Sequence, residues 1–279
     1  MNKFKIIQIT DTHLTPEGHQ AANHQKIDPF LKLNSIFMDV SKMSEKPDMI
    51  VITGDLIHEG VTKDYSKLAR LISQQMDKLQ ISINVILGNH DRTTAFYQGY
   101  LEQPEQAKYY YLVSGKDLNF YFLDSKFYDY EQGYLGQEQL TWLRDNLEDE
   151  PLKKSIIFLH HPVAGPSIQH MQYSVLQEGQ ELMEVIKDSP VMAVFSGHIH
   201  FSTTFTKNNI LFHTTDSSAY HINCDDHHKH LIYDATNYDI ITIEDDNIGV
   251  ETRCLLAGQD VINHVDVADT GFVDPGIFQ

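Results

Sequence analysis

Phe4-Lys5-Ile6-Ile7-Gln8-Ile9-Thr10-Asp11-Thr12-His13 runs from an apolar segment straight into a polar one. Phe4 to Ile9 is short, nearly continuous and β-branched, the composition of a strand buried on both faces. Asp11-Thr12-His13 stands where that strand ends. The same arrangement recurs down the chain. Met49 to Ile52 leads into Gly54-Asp55, and Ile83 to Leu87 into Gly88-Asn89-His90-Asp91. Ile156 to Leu159 leads into His160-His161, and Val191 to Phe195 into Gly197-His198-Ile199-His200. Open α/β folds gather their ligands at strand ends. Strand ends delivering Asp, His and Asn to one rim predict a metal site.

Between these strands lie helical patterns. Asp28-Pro29 reads as an N-cap with proline at the first helical position, followed by the stripe Ile27, Phe30, Leu31, Phe37 and Met38. Val61, Tyr65, Leu68, Ile72, Met76 and Leu79 form a second stripe, Leu140, Leu143 and Leu147 a third, and Leu182, Val185 and Ile186 a fourth. Strand and helix alternate to about residue 196, which predicts a layered α/β fold with helices outside a sheet. After residue 200 the segments 201–206, 210–215, 231–233, 238–243 and 249–255 read as strands of a second, antiparallel sheet packed on the first. A single domain is expected over residues 1–256. Residues 257–279 are expected to form a C-terminal tail that wraps or frays.

The chain has 279 residues, 41% of them hydrophobic, enough for a sizeable core. Its 21 basic and 39 acidic residues give a net charge of −18. Nucleic-acid polymers and anionic membrane surfaces are repelled by such a chain. A small anion held by a local cation is not. Two cysteines, Cys224 and Cys254, are too few for a disulfide framework, and a reducing cytoplasmic setting is expected. No segment has the length of a transmembrane helix, and the N-terminus does not read as a signal peptide.

Asp, His and Asn without Cys suit transition metals such as Mn, Fe, Co or Zn. Asp11 and His13 lie two apart, as do His198 and His200, so each pair shares a face of an extended segment. Asp55 is the natural bridge between two ions, and Asn89 adds an oxygen without adding charge. Two ions about 3.5–4 Å apart can clamp a phosphoryl group for in-line attack.

The ordered set Asp-x-His, Gly-Asp, Gly-Asn-His-Asp, His and Gly-His-x-His resembles the calcineurin-like metallophosphoesterase superfamily. The resemblance covers residues 6–215. It implies a β-sandwich flanked by helices and two metal ions. Asp11, His13, Asp55 and His200 would hold one ion, and Asp55, Asn89, His160 and His198 the other. His90 matches the histidine that approaches the substrate oxygens and protonates the leaving group, with Asp91 beside it favouring its charged form. The His160-His161-Pro162 turn, Phe122-Leu123-Asp124-Ser125 and the segment from Gly136 to Leu143 resemble the branch of bacterial cyclic nucleotide phosphodiesterases and glycerophosphodiesterases. Arginine is scarce near the motifs, with only Arg92 close in sequence. A phosphomonoester dianion usually needs arginine, so a small diester is favoured, 3′,5′-cyclic AMP first. The alternative is a glycerophosphodiesterase or broad phosphoesterase on the same site. A metal-dependent adaptor without catalysis is disfavoured by the intact His90.

Other features are weaker. Tyr220 and His170 are pocket candidates for the organic part of the substrate. His161 reads as a support for His160, and Tyr109-Tyr110-Tyr111 as packing. His227-His228-x-His230 reads as a solvated loop, and Asn223-Cys224-Asp225-Asp226 lacks the spacing of a calcium loop. The aromatic residues Phe205, Phe212, Tyr220, Tyr233 and Tyr238 are more than one sheet face needs, and the resemblance implies that such segments help form the pocket wall and the subunit contacts of a homo-oligomer.

Overall fold

A computed structural model describes residues 3–267. Two six-stranded sheets face each other with helices on both outer sides. In the first sheet, β1 (Phe4–Ile9), β2 (Met49–Thr53) and β3 (Ser82–Ile86) run parallel. They are linked by α1 (Pro29–Ser41) and α2 (Thr62–Leu79), the βαβ connection that parallel neighbours require. In the second sheet, β4 (Tyr111–Ser114) pairs antiparallel with β5 (Leu118–Phe122). β5 then runs parallel to β6 (Lys154–Phe158), which is parallel to β7 (Val191–Ser196). A four-residue helix, α3 (Thr93–Phe96), follows β3. α4 (Gln137–Asp149) and α5 (Gly179–Ile186) cover the outer face of the second sheet.

The continuous apolar runs follow from burial on both faces. Ile6, Val51, Ile86, Phe120, Phe158 and Phe195 meet between the sheets. Their neighbours Ile7, Ile50, Ile52 and Val85 face α1 and α2, and Tyr121, Ile157 and Val194 face α4 and α5. Tyr111 stacks on Phe122 with ring centroids 5 Å apart to the nearest ångström (4.6 Å), a packing role.

The strands after residue 200 are antiparallel hairpins, but they do not form a sheet of their own. β8 (Thr203–Lys207) and β9 (Ile210–Thr214) extend the second sheet beyond β7. β10 (Tyr220–Asn223), β11 (Lys229–Glu244) and β12 (Asn247–Asp266) extend the first through β1. β11 is one strand where the sequence reads as two, because its polar middle is satisfied inside the fold. Asp234 pairs with the buried Lys32, and Asn237 donates to Asp216. The boundary expected at residue 257 falls inside β12. Residues 268–279 of the expected tail lie outside the described residues.

The first helix also differs from expectation. Asp28 caps it by accepting from the Phe30 amide at 2.8 Å. Its buried stripe is Leu33, Ile36, Phe37 and Val40, spaced i, i+3, i+4, i+7. Ile27, Phe30, Leu31 and Met38 are exposed. The other stripes bury as expected except at Val61 and Met76, which are exposed, and Val185, which is half-buried.

Candidate metal centre

The carboxyl ends of β1, β2, β3, β6 and β7 open on one rim, and the polar motifs turn there. Asp11, His13, Asp55, His198 and His200 all have left-handed backbones, with φ of 52°, 39°, 49°, 74° and 57°. Non-glycine residues hold such angles only where surrounding structure enforces them. The glycines in the motifs clear the space. Gly54 has φ 92°, and a Cβ there would lie 2.4 Å from the His160 Nδ1 atom. At Gly197 a Cβ would lie 1.8 Å from the Thr10 hydroxyl oxygen.

Asp11, His13, Asp55 and His200 converge with their ligand atoms within 4.8 Å of one another, all buried. His200 Nε2 is 3.3 Å from Asp11 Oδ1, and His13 Nε2 is 3.5 Å from Asp55 Oδ2. On the other side, His160 Nε2 lies 3.5 Å from Asp55 Oδ1 and 3.1 Å from Asn89 Oδ1. His198 stands beside it, ring centroids 5.0 Å apart. Asp55 thus presents one oxygen to each half of the centre.

Hydrogen bonds behind the rings set their orientation. His160 Nδ1 donates to the Thr53 carbonyl at 2.8 Å, and His200 Nδ1 to the Tyr220 carbonyl at 2.8 Å. Each leaves Nε2 facing the centre, the arrangement found behind metal-binding imidazoles. His198 Nε2 is 2.7 Å from the Ser174 hydroxyl, which leaves its Nδ1 for the centre. Asp11 Oδ2 accepts from Thr10 Oγ1 and from the His198 amide, while its buried Oδ1 has no hydrogen-bond partner.

Electrostatics follow from burial against charge. Burial opposes ionisation of Asp11, but His200 and His160 hold its carboxyl well below the usual range. Burial likewise opposes a charge on His160, yet Asp55 and Asp11 raise it to about 9. Burial and the His160 charge push His198 down to about 3, and burial pushes His13 well down. Imidazoles, carboxylates, an amide oxygen and an unpartnered buried carboxylate oxygen are a donor set for transition metals. The site can hold two ions.

The remaining candidates fall differently. His90 is half-buried, with its amide donating to Asp55 Oδ1 at 2.9 Å and its ring 4.5 Å from His58. Asp91 does not serve His90. Its carboxylate accepts from the amides of Leu56, Ile57 and Gly88 and from the Tyr65 hydroxyl. Those bonds tie the loop after β2 to the loop after β3, so Asp91 braces Asp55 and Asn89. Tyr220 is buried and stacks on His13 and His200, its hydroxyl 3.4 Å from His13 Nε2. His170 stacks on His227 at 4.1 Å, away from these ligands among its described contacts.

Two residues, His58 and Glu131, escaped the sequence reading, and His161 lies close to the ligands. His58 lies 3.2 Å from His13 Nδ1 to Nδ1; its only signal is its place three residues after Asp55. His161, read as a support, has its ring nitrogen within 4.8 Å of those of His160 and His198. Glu131, in the loop after β5, accepts from the Asn89 amide at 3.3 Å, and nothing local marks it.

Known proteins are similar to the chain in sequence or in fold. A probable glycerophosphodiester phosphodiesterase of Arcobacter nitrofigilis is 28% identical over 225 residues, 79% of this chain and 80% of that protein. A 3′,5′-cyclic-nucleotide phosphodiesterase of Nostoc sp. is 30% identical over 219 residues, 78% and 79% of the two chains. The crystal structure of a dimetal phosphatase from Danio rerio superposes with a TM-score of 0.57 at 13% identity, covering 85% of this chain and 95% of that one. Residues 4–202, from β1 to just past the last metal-facing histidine, match the model of the calcineurin-like phosphoesterases, and the chain belongs to that family.

Proposed function

We propose that the protein is a dinuclear metal phosphodiesterase acting on a small soluble diester, with 3′,5′-cyclic AMP the first substrate to test. The observation that carries this reading is Asp55. It is 1% exposed, with one oxygen toward His13 and the other toward His160. A carboxylate so placed can join two ions. Asp11, His13, Asp55 and His200 would hold one, and Asp55, Asn89, His160 and His198 the other. When bound, the ions supply positive charge to the transferring phosphoryl group and acidify water for attack.

The chain's own residues do the rest. The Asp91 brace and the Thr53 and Tyr220 carbonyls keep the ligands oriented. The tie between the His90 amide and Asp55 holds the imidazole at the mouth of the site, where it can give a proton to the leaving oxygen. The diester preference is supported by the cations nearby. Arg92 is engaged 3.4 Å from Glu59, and Lys108 donates to three backbone carbonyls. With the Arg92 guanidinium already paired, a dianionic monoester would lack the bidentate arginine partner it usually needs. Relatives named for cyclic nucleotides and for glycerophosphodiesters keep both substrate classes in view.

Chelation should strip at least one ion and abolish hydrolysis of bis(p-nitrophenyl) phosphate, with Mn²⁺ or Co²⁺ restoring it. Undiminished turnover by protein shown metal-free by elemental analysis would remove the dinuclear mechanism. A panel of cyclic nucleotides and glycerophosphodiesters then ranks the substrates.

No helix among the described residues is long and apolar enough to cross a membrane. Both cysteines are free, in keeping with a cytoplasmic protein. A homo-oligomer is supported by β12, whose described pairing is with β11 alone and which exposes Leu255, Val261 and Val265. Edge strands of this kind invite pairing. Light scattering at micromolar concentration should give at least a dimer; a monomer mass would exclude the assembly.

A further inference from the structure

The loop after β2 brings one further imidazole to the centre. His58 is half-buried, and its Nδ1 lies 3.2 Å from His13 Nδ1. Its backbone is laced on both sides. The His58 amide donates to the Leu14 carbonyl at 3.1 Å, and the Glu59 amide to the His90 carbonyl at 3.1 Å. The ring is therefore delivered to one place, between the loop after β1 and the loop after β3.

The protons on the pair follow from what an ion demands. His13 Nε2 faces the centre, 3.2 Å from His200 Nε2 and 3.5 Å from Asp55 Oδ2. A neutral imidazole that offers one nitrogen to an ion carries its hydrogen on the other. His13 Nδ1–H is then the donor and His58 Nδ1 the acceptor, and His58 keeps its own hydrogen on Nε2. A metal-facing imidazole needs such a partner to hold its tautomer and its plane. His160 and His200 find theirs in the carbonyls of Thr53 and Tyr220, backbone groups that a side-chain substitution there does not delete. His13 relies on a side chain. The His58 ring also packs on His90, centroids 4.5 Å apart and planes 30° apart, so a ligand and the proton donor share one support.

We infer that His58 is the positioning residue of His13, fixing the tautomer that an ion on the Asp11, His13, Asp55 and His200 side requires. The inference rests on the dinuclear reading and names a residue outside its ligands. His58 touches neither ion nor substrate in this scheme and acts through the His13 ring.

Chelator-competition titration with Mn²⁺ tests it. The wild-type protein should show two binding steps, and Asn89→Ala, which depletes the other side, identifies the step that belongs to His13. In His58→Ala that step should weaken by about 10–100-fold, the range for losing such a partner, while the other moves by less than about threefold. The Mn²⁺ concentration for half-maximal turnover of bis(p-nitrophenyl) phosphate should rise by the same factor. His58→Asn keeps an acceptor, Oδ1, toward His13 Nδ1–H and should recover most of the affinity. Unchanged binding steps in His58→Ala would overturn the positioning role and leave the dinuclear reading in place. An asparagine variant as weak as the alanine one would overturn it too, since packing rather than a hydrogen bond would then hold His13. Fewer than two steps in the wild-type protein would overturn the dinuclear reading and this inference with it.

Discussion

Asp55→Ala is expected to leave a folded protein that retains almost no metal and loses turnover by several orders of magnitude. The side chain is buried between two half-sites, with Oδ2 3.5 Å from His13 and Oδ1 3.5 Å from His160. Its removal takes a donor from each ion. It also takes from His13 and His160 the carboxylate that both rings face. The amide of His90 loses its acceptor in the same step. Asn89→Ala is the control. It removes one neutral oxygen from one side, so metal analysis should find the His13–His200 side filled and the other depleted. Two ions retained in Asp55→Ala would refute the bridging assignment.

The second large effect belongs to His90. Its ring is not among the atoms assigned to metal, and its backbone rather than its side chain touches Asp55. His90→Ala should therefore keep both ions while turnover falls by ~10²–10⁴-fold, the range for losing a positioned proton donor. Substrate choice sharpens the test. An alkoxide such as the one released from a cyclic nucleotide needs a proton, and p-nitrophenolate hardly does. The loss should be steep for the first and shallow for the second. Equal losses would make His90 a phosphate-positioning residue. Loss of metal would place it in the ligand set.

The strand ends were legible because their signals are local. A buried strand, a glycine and then a ligand is dictated by backbone geometry, as Gly54 and Gly197 illustrate. The convergence of Asp11, His13, Asp55 and His200 could be expected for the same reason, since all follow parallel strands of a twisted sandwich. What escaped depends on distant partners. α1 carries apolar residues on two sides, and only contact with the sheet selects Leu33, Ile36, Phe37 and Val40. The polar middle of β11 reads as a turn until Lys32 and Asp216 supply its partners. Asp91 looked like a helper of His90 because it is next in the chain, yet its oxygens are used by backbone amides 34 and 35 residues away. Glu131 sits 42 positions from Asn89, and no pattern links them.

The five left-handed residues of the metal centre have a consequence for the life of the protein in the cell. Each such position costs on the order of 1–3 kcal/mol relative to a relaxed backbone. Their sum is comparable to the whole stability of an ordinary domain. Ions held where the ligands converge would favour the folded chain over the unfolded one and offset that cost through mass action. Metal supply is then expected to govern abundance as well as rate, and equal thermal stability of chelated and metal-loaded protein would refute this. In a cell starved of transition metals, copies made without their ions open more often and are cleared by proteases. The activity would decline through turnover of the polypeptide, and restoring it would require new synthesis as well as new metal.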